Sequence, residues 1–146
     1  MLIERTPVII AGKPGGYGKG TRVTGAKGFV LLSGATGFDT NTGKIPEGIG
    51  EQAKLAMEHI KAWLEEYGSS VKNIMFVRRY FKGEFPSGIV SDPKYQEGEK
   101  AIQEFWRENY PEFLRENNPP ASTLLGVTAL ARPEFLVEIE VVAAIE

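Results

Sequence analysis

The chain has 146 residues, enough for one domain with a sizeable hydrophobic core, taken as residues 1–146. An apolar fraction of 42%, a charged fraction of 25% and a net charge of −2 exclude a disordered chain, and the interspersed acids and bases form no basic stripe for a nucleic-acid partner. Without cysteine there is no disulfide, thiol nucleophile or thiolate metal site, and a single histidine argues against a His-built metal site or a Ser-His triad.

Near the start, Glu4 and Arg5 precede an apolar run, Val8–Ala11, that Gly12 and Pro14 soon break. This is too short and too acidic for a secretory signal, and no later run approaches the ~20 apolar residues of a membrane span. A cytoplasmic protein is the default expectation. Val8–Ala11 reads as a short strand. The stretch from Gly12 to Thr21 invites a phosphate-loop reading, but Lys13 stands where that motif needs glycine, and Gly20 follows Lys19 where it needs Ser or Thr. A flexible loop is expected instead, with glycine freeing the backbone for turns and Tyr17 placed as the lid or wall of a pocket.

Thr21–Thr24 and Phe29–Ser33, separated by Gly25-Ala26-Lys27-Gly28, predict a β-hairpin. Because Phe29-Val30-Leu31-Leu32 is continuously apolar, both faces of that strand should be buried. From Ile49 to Tyr67 the period becomes helical. Ile49, Ala53, Ala56, Ile60, Leu64 and Tyr67 form one stripe, Lys54, Glu58, Lys61 and Glu65 face away, and Gly68 ends the helix. His59, at the edge of the stripe, is expected at the surface or in packing.

Ile74–Phe81 predicts a strand that places Arg78 and Arg79 on opposite faces. Arginine in mid-strand requires a partner, either a structural carboxylate or an anionic ligand, and the ion pair is the favoured reading. Asp92-Pro93 is an N-cap followed by proline at the first helical position; Tyr95, Ile102, Phe105 and Trp106 give the buried side of the second helix. Ser122–Leu130 and Phe135–Ala143 then read as two strands paired across a turn with Pro133 at its corner. Phe135, Val137, Ile139 and Val141 share one face of the last strand; Leu136, Glu138, Glu140 and Val142 share the other. The order predicts an α+β fold with two helices on one side of a sheet. The uncovered face keeps apolar residues, which predicts a face-to-face homo-oligomer with Glu138 and Glu140 near the assembly face.

Several segments in this order resemble the Rid (YjgF) family of reactive-intermediate deaminases, from about Gly16 to Ala143. They are the Tyr17 segment, Phe29-Val30-Leu31-Leu32-Ser33-Gly34, Asp39-Thr40-Asn41-Thr42-Gly43-Lys44, Glu51-Gln52-Ala53, Pro120-Ala121-Ser122-Thr123, and Val137-Glu138-Ile139-Glu140-Val141-Val142-Ala143. The resemblance implies a chorismate-mutase-like single sheet with two helices on one face, assembled as a homotrimer with small-molecule clefts between subunits. Deaminating members hydrolyse imines and enamines from amino-acid dehydration to 2-keto acids and ammonia, without metal or cofactor. By position, Glu138 matches the carboxylate near the water, Tyr17 the tyrosine lining the cleft, and Ser33 and Gly34 the strand-end pair.

The family's substrate-clamping arginine, within a Pro-Ala-Arg-Ser sequence, is missing. Ala121 or Ser122 occupies its place, and Leu124 or Thr123 the position two further on. Lys82–Pro93 and the 111–118 region also look longer than usual. An Arg–carboxylate contact in a desolvated cleft contributes about 2–5 kcal/mol, so its loss points away from the usual 2-imino acids. Either another cation serves (Arg78, Arg79, Arg115 or Arg132), or Ser122 and Thr123 hydrogen-bond a neutral carbonyl-bearing or hydroxylated compound.

The expected function is a cofactor-free hydrolase or deaminase for a small reactive imine, enamine or related carbonyl metabolite. Glu138 and Tyr17 are the expected catalytic residues, Ser33, Gly34, Ser122, Thr123 and Arg79 the ligand-binding ones, and no metal ligands are expected. A paired-carboxylate site is also conceivable, since Glu138 and Glu140 lie about 7 Å apart on one face, although a structural role for Glu140 is preferred. The alternative is a trimer that binds or senses a metabolite without turnover. An endoribonuclease, as some relatives have been labelled, is disfavoured by the charge.

Overall fold

In the computed structural model, which describes residues 1–146, α1 (Ile49–Glu66) and α2 (Pro93–Asn109) lie against one face of a seven-stranded sheet. Its strands are β1 (Leu2–Ile10), β2 (Lys13–Thr24), β3 (Gly28–Leu31), β4 (Ala35–Thr36), β5 (Ile74–Lys82), β6 (Ala121–Val127) and β7 (Val137–Ile145). Their order across the sheet is β1-β2-β6-β5-β7-β3, with β4 also paired to β7. This is the α+β arrangement the patterning predicts. No helix is long and apolar enough to cross a membrane.

Both helices form where caps and apolar stripes coincide. In α1, Ile49, Ala53, Ala56, Ile60 and Leu64 are buried, and the helix ends in a Schellman motif. Gly68 there takes the left-handed φ of 75°, and its N–H donates to Glu65 O at 3.1 Å, while Ser69 N–H donates to Leu64 O at 2.8 Å. In α2, Pro93 fills the first turn and Asp92 Oδ1 accepts from Lys94 N at 2.8 Å and Tyr95 N at 3.4 Å. Tyr95, Ile102, Phe105 and Trp106 are buried as the spacing requires. His59 is also buried: its Nε2 lies 2.8 Å from Phe38 O and its ring stacks on Trp63, which is a packing role.

β3, β5, β6 and β7 lie within a few residues of their expected places, but β1 begins at Leu2 rather than Val8, β2 at Lys13 rather than Thr21, β4 is an added short strand, and the strand partners differ from the expected ones. The C-terminal strands do not form a hairpin: β5 runs between them, parallel to β6 and antiparallel to β7. The segment after β6 therefore crosses the end of β5, where Lys82 N–H donates to Leu136 O at 2.9 Å and Lys82 Nζ to Pro133 O at 2.8 Å. Nor does β2 pair with β3. Instead, β2 forms a hairpin with β1, and β3 pairs with β7. The three residues between β2 and β3, Gly25-Ala26-Lys27, suit a hairpin equally well, so local turn chemistry could not decide the pairing.

The glycine-rich stretch is strand rather than free loop. β1 offers it an antiparallel partner, with register shifts on either side of Pro7, and Ala11 and Gly12, with φ of 49° and 78°, make the tight turn between them. In β3 burial alternates: Val30 is buried, whereas Phe29 and Leu31 are 56% and 75% exposed on the face opposite the helices. The expectation of two buried faces is therefore not met within one chain, and the uncovered sheet face is indeed partly apolar.

Gln52 ties this frame together from the first turn of α1. It is fully buried, its Nε2 donates to Pro46 O at 2.7 Å and Glu134 O at 2.9 Å, and its Oε1 accepts from Leu136 N at 2.9 Å. The glutamine thus fixes the backbone just before β7, the strand that carries Glu138.

Candidate functional site

Alternation along β5 divides the polar residues between the two faces of the sheet. Ile74, Val77 and Phe81 are buried beneath the helices, and Arg79 shares their side, where it pairs with Glu99 of α2. Arg78 and Tyr80 point the other way. In register they lie beside Glu140 and Glu138 of β7, while Thr123 of β6 is opposite Arg78.

On the uncovered face Glu140 has two partners. Arg78 Nη1 donates to its Oε1 at 2.6 Å, and so does the Tyr80 hydroxyl at 2.6 Å. Phe76 supports the Arg78 guanidinium, 5.2 Å from its ring centroid. The Tyr80 hydrogen bond, followed by the Arg78 interactions, holds the Glu140 carboxyl below its ordinary range. Glu138 has no such donors. Partial burial pushes its carboxyl upward, and the Glu140 charge adds to the effect. Gly34 closes this corner, because a Cβ placed there would lie 2.6 Å from Glu138 Cδ and 2.8 Å from Cγ. Only glycine leaves the Glu138 side chain in its present position. Ser33, immediately before it, is exposed.

The helix side holds a second group. Arg79 and Glu99 are only 14% and 19% exposed, and Gln103 Nε2 donates to the other Glu99 oxygen at 3.3 Å. They line a cavity of about 80 Å³ whose wall includes Tyr17, Trp106, Pro120 and Ser122. Tyr17 projects from β2, not from a loop, and stays 45% exposed at the wall. Three of the predicted residues, Tyr17, Arg79 and Ser122, are therefore gathered in one cavity. Glu138 and Gly34 are together on the opposite face, and Thr123 shares that face. A single chain does not bring the two groups into contact.

The family model described as Endoribonuclease L-PSP matches residues 13–145. A RutC family protein of Pyrococcus abyssi is 31% identical over 118 residues, covering 79% of this chain and 77% of its own length. The chain belongs to the Rid/YjgF family. A second RutC family protein, from Aquifex aeolicus, is 30% identical over 116 residues, 80% of each chain. Among Rid/YjgF structures, YyfB of Yersinia pestis superposes with a TM-score of 0.69 at 19% identity, over 97% of this chain and 99% of its own. Escherichia coli TdcF, solved with bound serine, gives 0.65 at 24% identity, covering 100% and 99%. Escherichia coli YjgF gives 0.64 at 22% identity, covering 95% and 92%. At these identities the structures establish the Rid/YjgF fold.

Several residues around the two groups escaped sequence reasoning. Tyr80 was within reach of it, since strand alternation puts it beside Arg78. Glu99 left a subtler mark. It falls four residues after Tyr95 and three before Ile102, a position within the apolar stripe of α2 that a carboxylate occupies only with a partner.

Proposed function

We propose that this Rid/YjgF chain is a cofactor-free hydrolase, of deaminase type, for a small reactive imine, enamine or related carbonyl-type metabolite. It acts as a homotrimer, with the cleft formed between subunits. One subunit contributes Glu138, Gly34, Ser33 and Thr123 from its uncovered sheet face, and its neighbour contributes Tyr17, Arg79 and Ser122 from the helix side. The observation that carries this reading is Glu138. It is a partly buried carboxylate with a raised proton affinity, free of any cationic partner and confined by Gly34, beside a second carboxylate that Tyr80 and Arg78 keep ionised.

Such a carboxylate suits the general base of imine hydrolysis. Glu138 takes a proton from water as the oxygen bonds to the C=N carbon, and the π pair moves to nitrogen. Glu138 returns that proton to nitrogen to give a carbinolamine, whose hydroxyl proton then passes by way of Glu138 to the same nitrogen. The O–H electron pair forms the C=O bond as the C–N bond breaks, and carbonyl and ammonia leave. An enamine is first protonated at carbon to reach the same imine. With Ala121 or Ser122 where deaminating relatives carry the clamp, the usual 2-imino acids are not the preferred substrates.

The same missing arginine favours the second reading, a trimer that binds such a metabolite without turnover. Nucleic acid fits less well, because on the uncovered face Arg78 is already committed to Glu140.

The test generates imines in situ, uncharged ones from primary amines with an amine oxidase and 2-iminobutyrate with a dehydratase, and follows carbonyl release with and without the protein. Acceleration of uncharged imines that Glu138→Gln abolishes supports the hydrolase. No acceleration of any imine leaves the binding protein, and full activity in Glu138→Gln removes the carboxylate's role.

A further inference from the structure

The helix-side cavity carries more information than its position. Arg79 is not an available cation: Glu99 sits against it and neutralises it inside the cavity wall. Both carboxylate oxygens of Glu99 are engaged, one by Arg79 and the other by Gln103, so the pair is held rather than transient. A ligand carboxylate reaching Arg79 would have to share one guanidinium with Glu99 at close range, where desolvation amplifies like-charge repulsion. Displacing Glu99 instead would leave a mostly buried charge without its partner.

An uncharged head group meets a different surface. Arg79 retains N–H donors beyond the one given to Glu99, and the Ser122 hydroxyl adds another; Glu99 supplies acceptor capacity beside them. Donor beside acceptor is the complement of a carboxamide, whose carbonyl accepts and whose NH₂ donates. A carboxylate has the same shape but offers two acceptors. The cavity is small, about 80 Å³, which suits a compact head group. The rest of a larger ligand leaves past Tyr17, which is exposed.

We infer that this cavity is a head-group pocket for an uncharged carboxamide-type carbonyl, and that Glu99, by neutralising Arg79, turns carboxylate ligands away. Glu99 is thus a specificity-determining residue. The inference rests on Tyr17, Arg79 and Ser122 being the ligand side of the proposed site, and it narrows the substrate class of that site.

Titration of the full chain with butyramide and with butyrate, followed by ¹H–¹⁵N correlation spectra at pH 7.5, tests it without turnover. Butyramide is expected to shift the Tyr17 and Ser122 amide signals with a dissociation constant at least about tenfold below that of butyrate. Glu99→Gln keeps the shape but frees the Arg79 charge, and should reverse the preference by a similar factor. Equal or tighter butyrate binding to the unaltered chain overturns the inference, as does an unchanged ratio in Glu99→Gln or the absence of any shift at Tyr17 and Ser122. Should Glu99→Gln lose its dispersed spectrum, the charge-balanced Arg79→Gln/Glu99→Gln pair replaces it. There the amide preference must fall to near parity, and its persistence refutes the role of the ion pair. Because no bond is broken in this assay, its failure is separate from a failure of hydrolysis by the Glu138→Gln criterion.

Discussion

Replacing Gln52 with leucine tests how the frame positions β7. The substitution keeps the size of the side chain but removes two donors and one acceptor from a fully buried site. The carbonyls of Pro46 and Glu134 and the N–H of Leu136 lose their partners. Each stranded group costs ~1–3 kcal/mol, and some relaxation toward water is expected, so Gln52→Leu should destabilise the protein by about 3–6 kcal/mol. With a urea slope of about 2 kcal/mol/M, that moves the unfolding midpoint down by roughly 1.5–3 M. Gln52→Glu retains the acceptor for Leu136 N but loses both donors and buries a charge, so at pH 7 it should be at least as harmful. Equilibrium urea denaturation by circular dichroism measures both variants. A loss below about 1 kcal/mol in Gln52→Leu would mean that the three contacts do not hold the start of β7.

Gly34→Ala should lower kcat strongly and leave the thermal midpoint nearly unchanged, because the added methyl displaces the Glu138 side chain rather than the fold; an equal fall in both would point to misfolding instead. If Glu138 acts as a base, kcat/KM should rise as it ionises, with a midpoint above the ordinary glutamate range, and Glu140→Gln should move that midpoint down by removing a like charge. For stability the signs are opposite. The raised affinity of Glu138 favours the folded state at low pH and is lost as pH rises through its folded value, whereas Glu140, held low, contributes above its unfolded value and is lost as pH falls through its folded one. The pH dependence of urea midpoints in Glu138→Gln and Glu140→Gln separates the two slopes. Asp92→Ala removes the cap of α2 and should cost about 0.5–2 kcal/mol in the same denaturation experiment.

What the sequence reveals of this fold is local. The face of β7 is legible because Val137, Ile139 and Val141 alternate with Glu138 and Glu140, and the ends of both helices are legible because Gly68 and Asp92 act within one turn of chain. Strand partners are not local. β5 enters between β6 and β7 from some forty residues away, guided by a parallel register that leaves no mark at the Pro133 turn. For the site, the sequence identifies Arg78 and Arg79 as opposed and in need of partners, but not which carboxylate answers each. Glu140 comes from a neighbouring strand, and Glu99 from a helix whose register against the sheet is set by packing. The same limit explains why Tyr17 and Ser122 converge with Arg79 while Glu138 lies on the other face.

That separation makes subunit mixing the most direct test of the central proposal, a hydrolytic site shared between subunits. Ser122→Trp overfills the ~80 Å³ cavity, and Glu138→Gln removes the base from the opposite face. Each variant alone should be inactive on the imine that the unaltered protein hydrolyses. Refolded together in equal amounts, they should regain about a quarter of the unaltered activity, because in a cyclic trimer about one cleft in four joins two intact halves. No recovery, in mixtures shown by native mass spectrometry to contain hetero-trimers, would contradict a cleft built from two subunits.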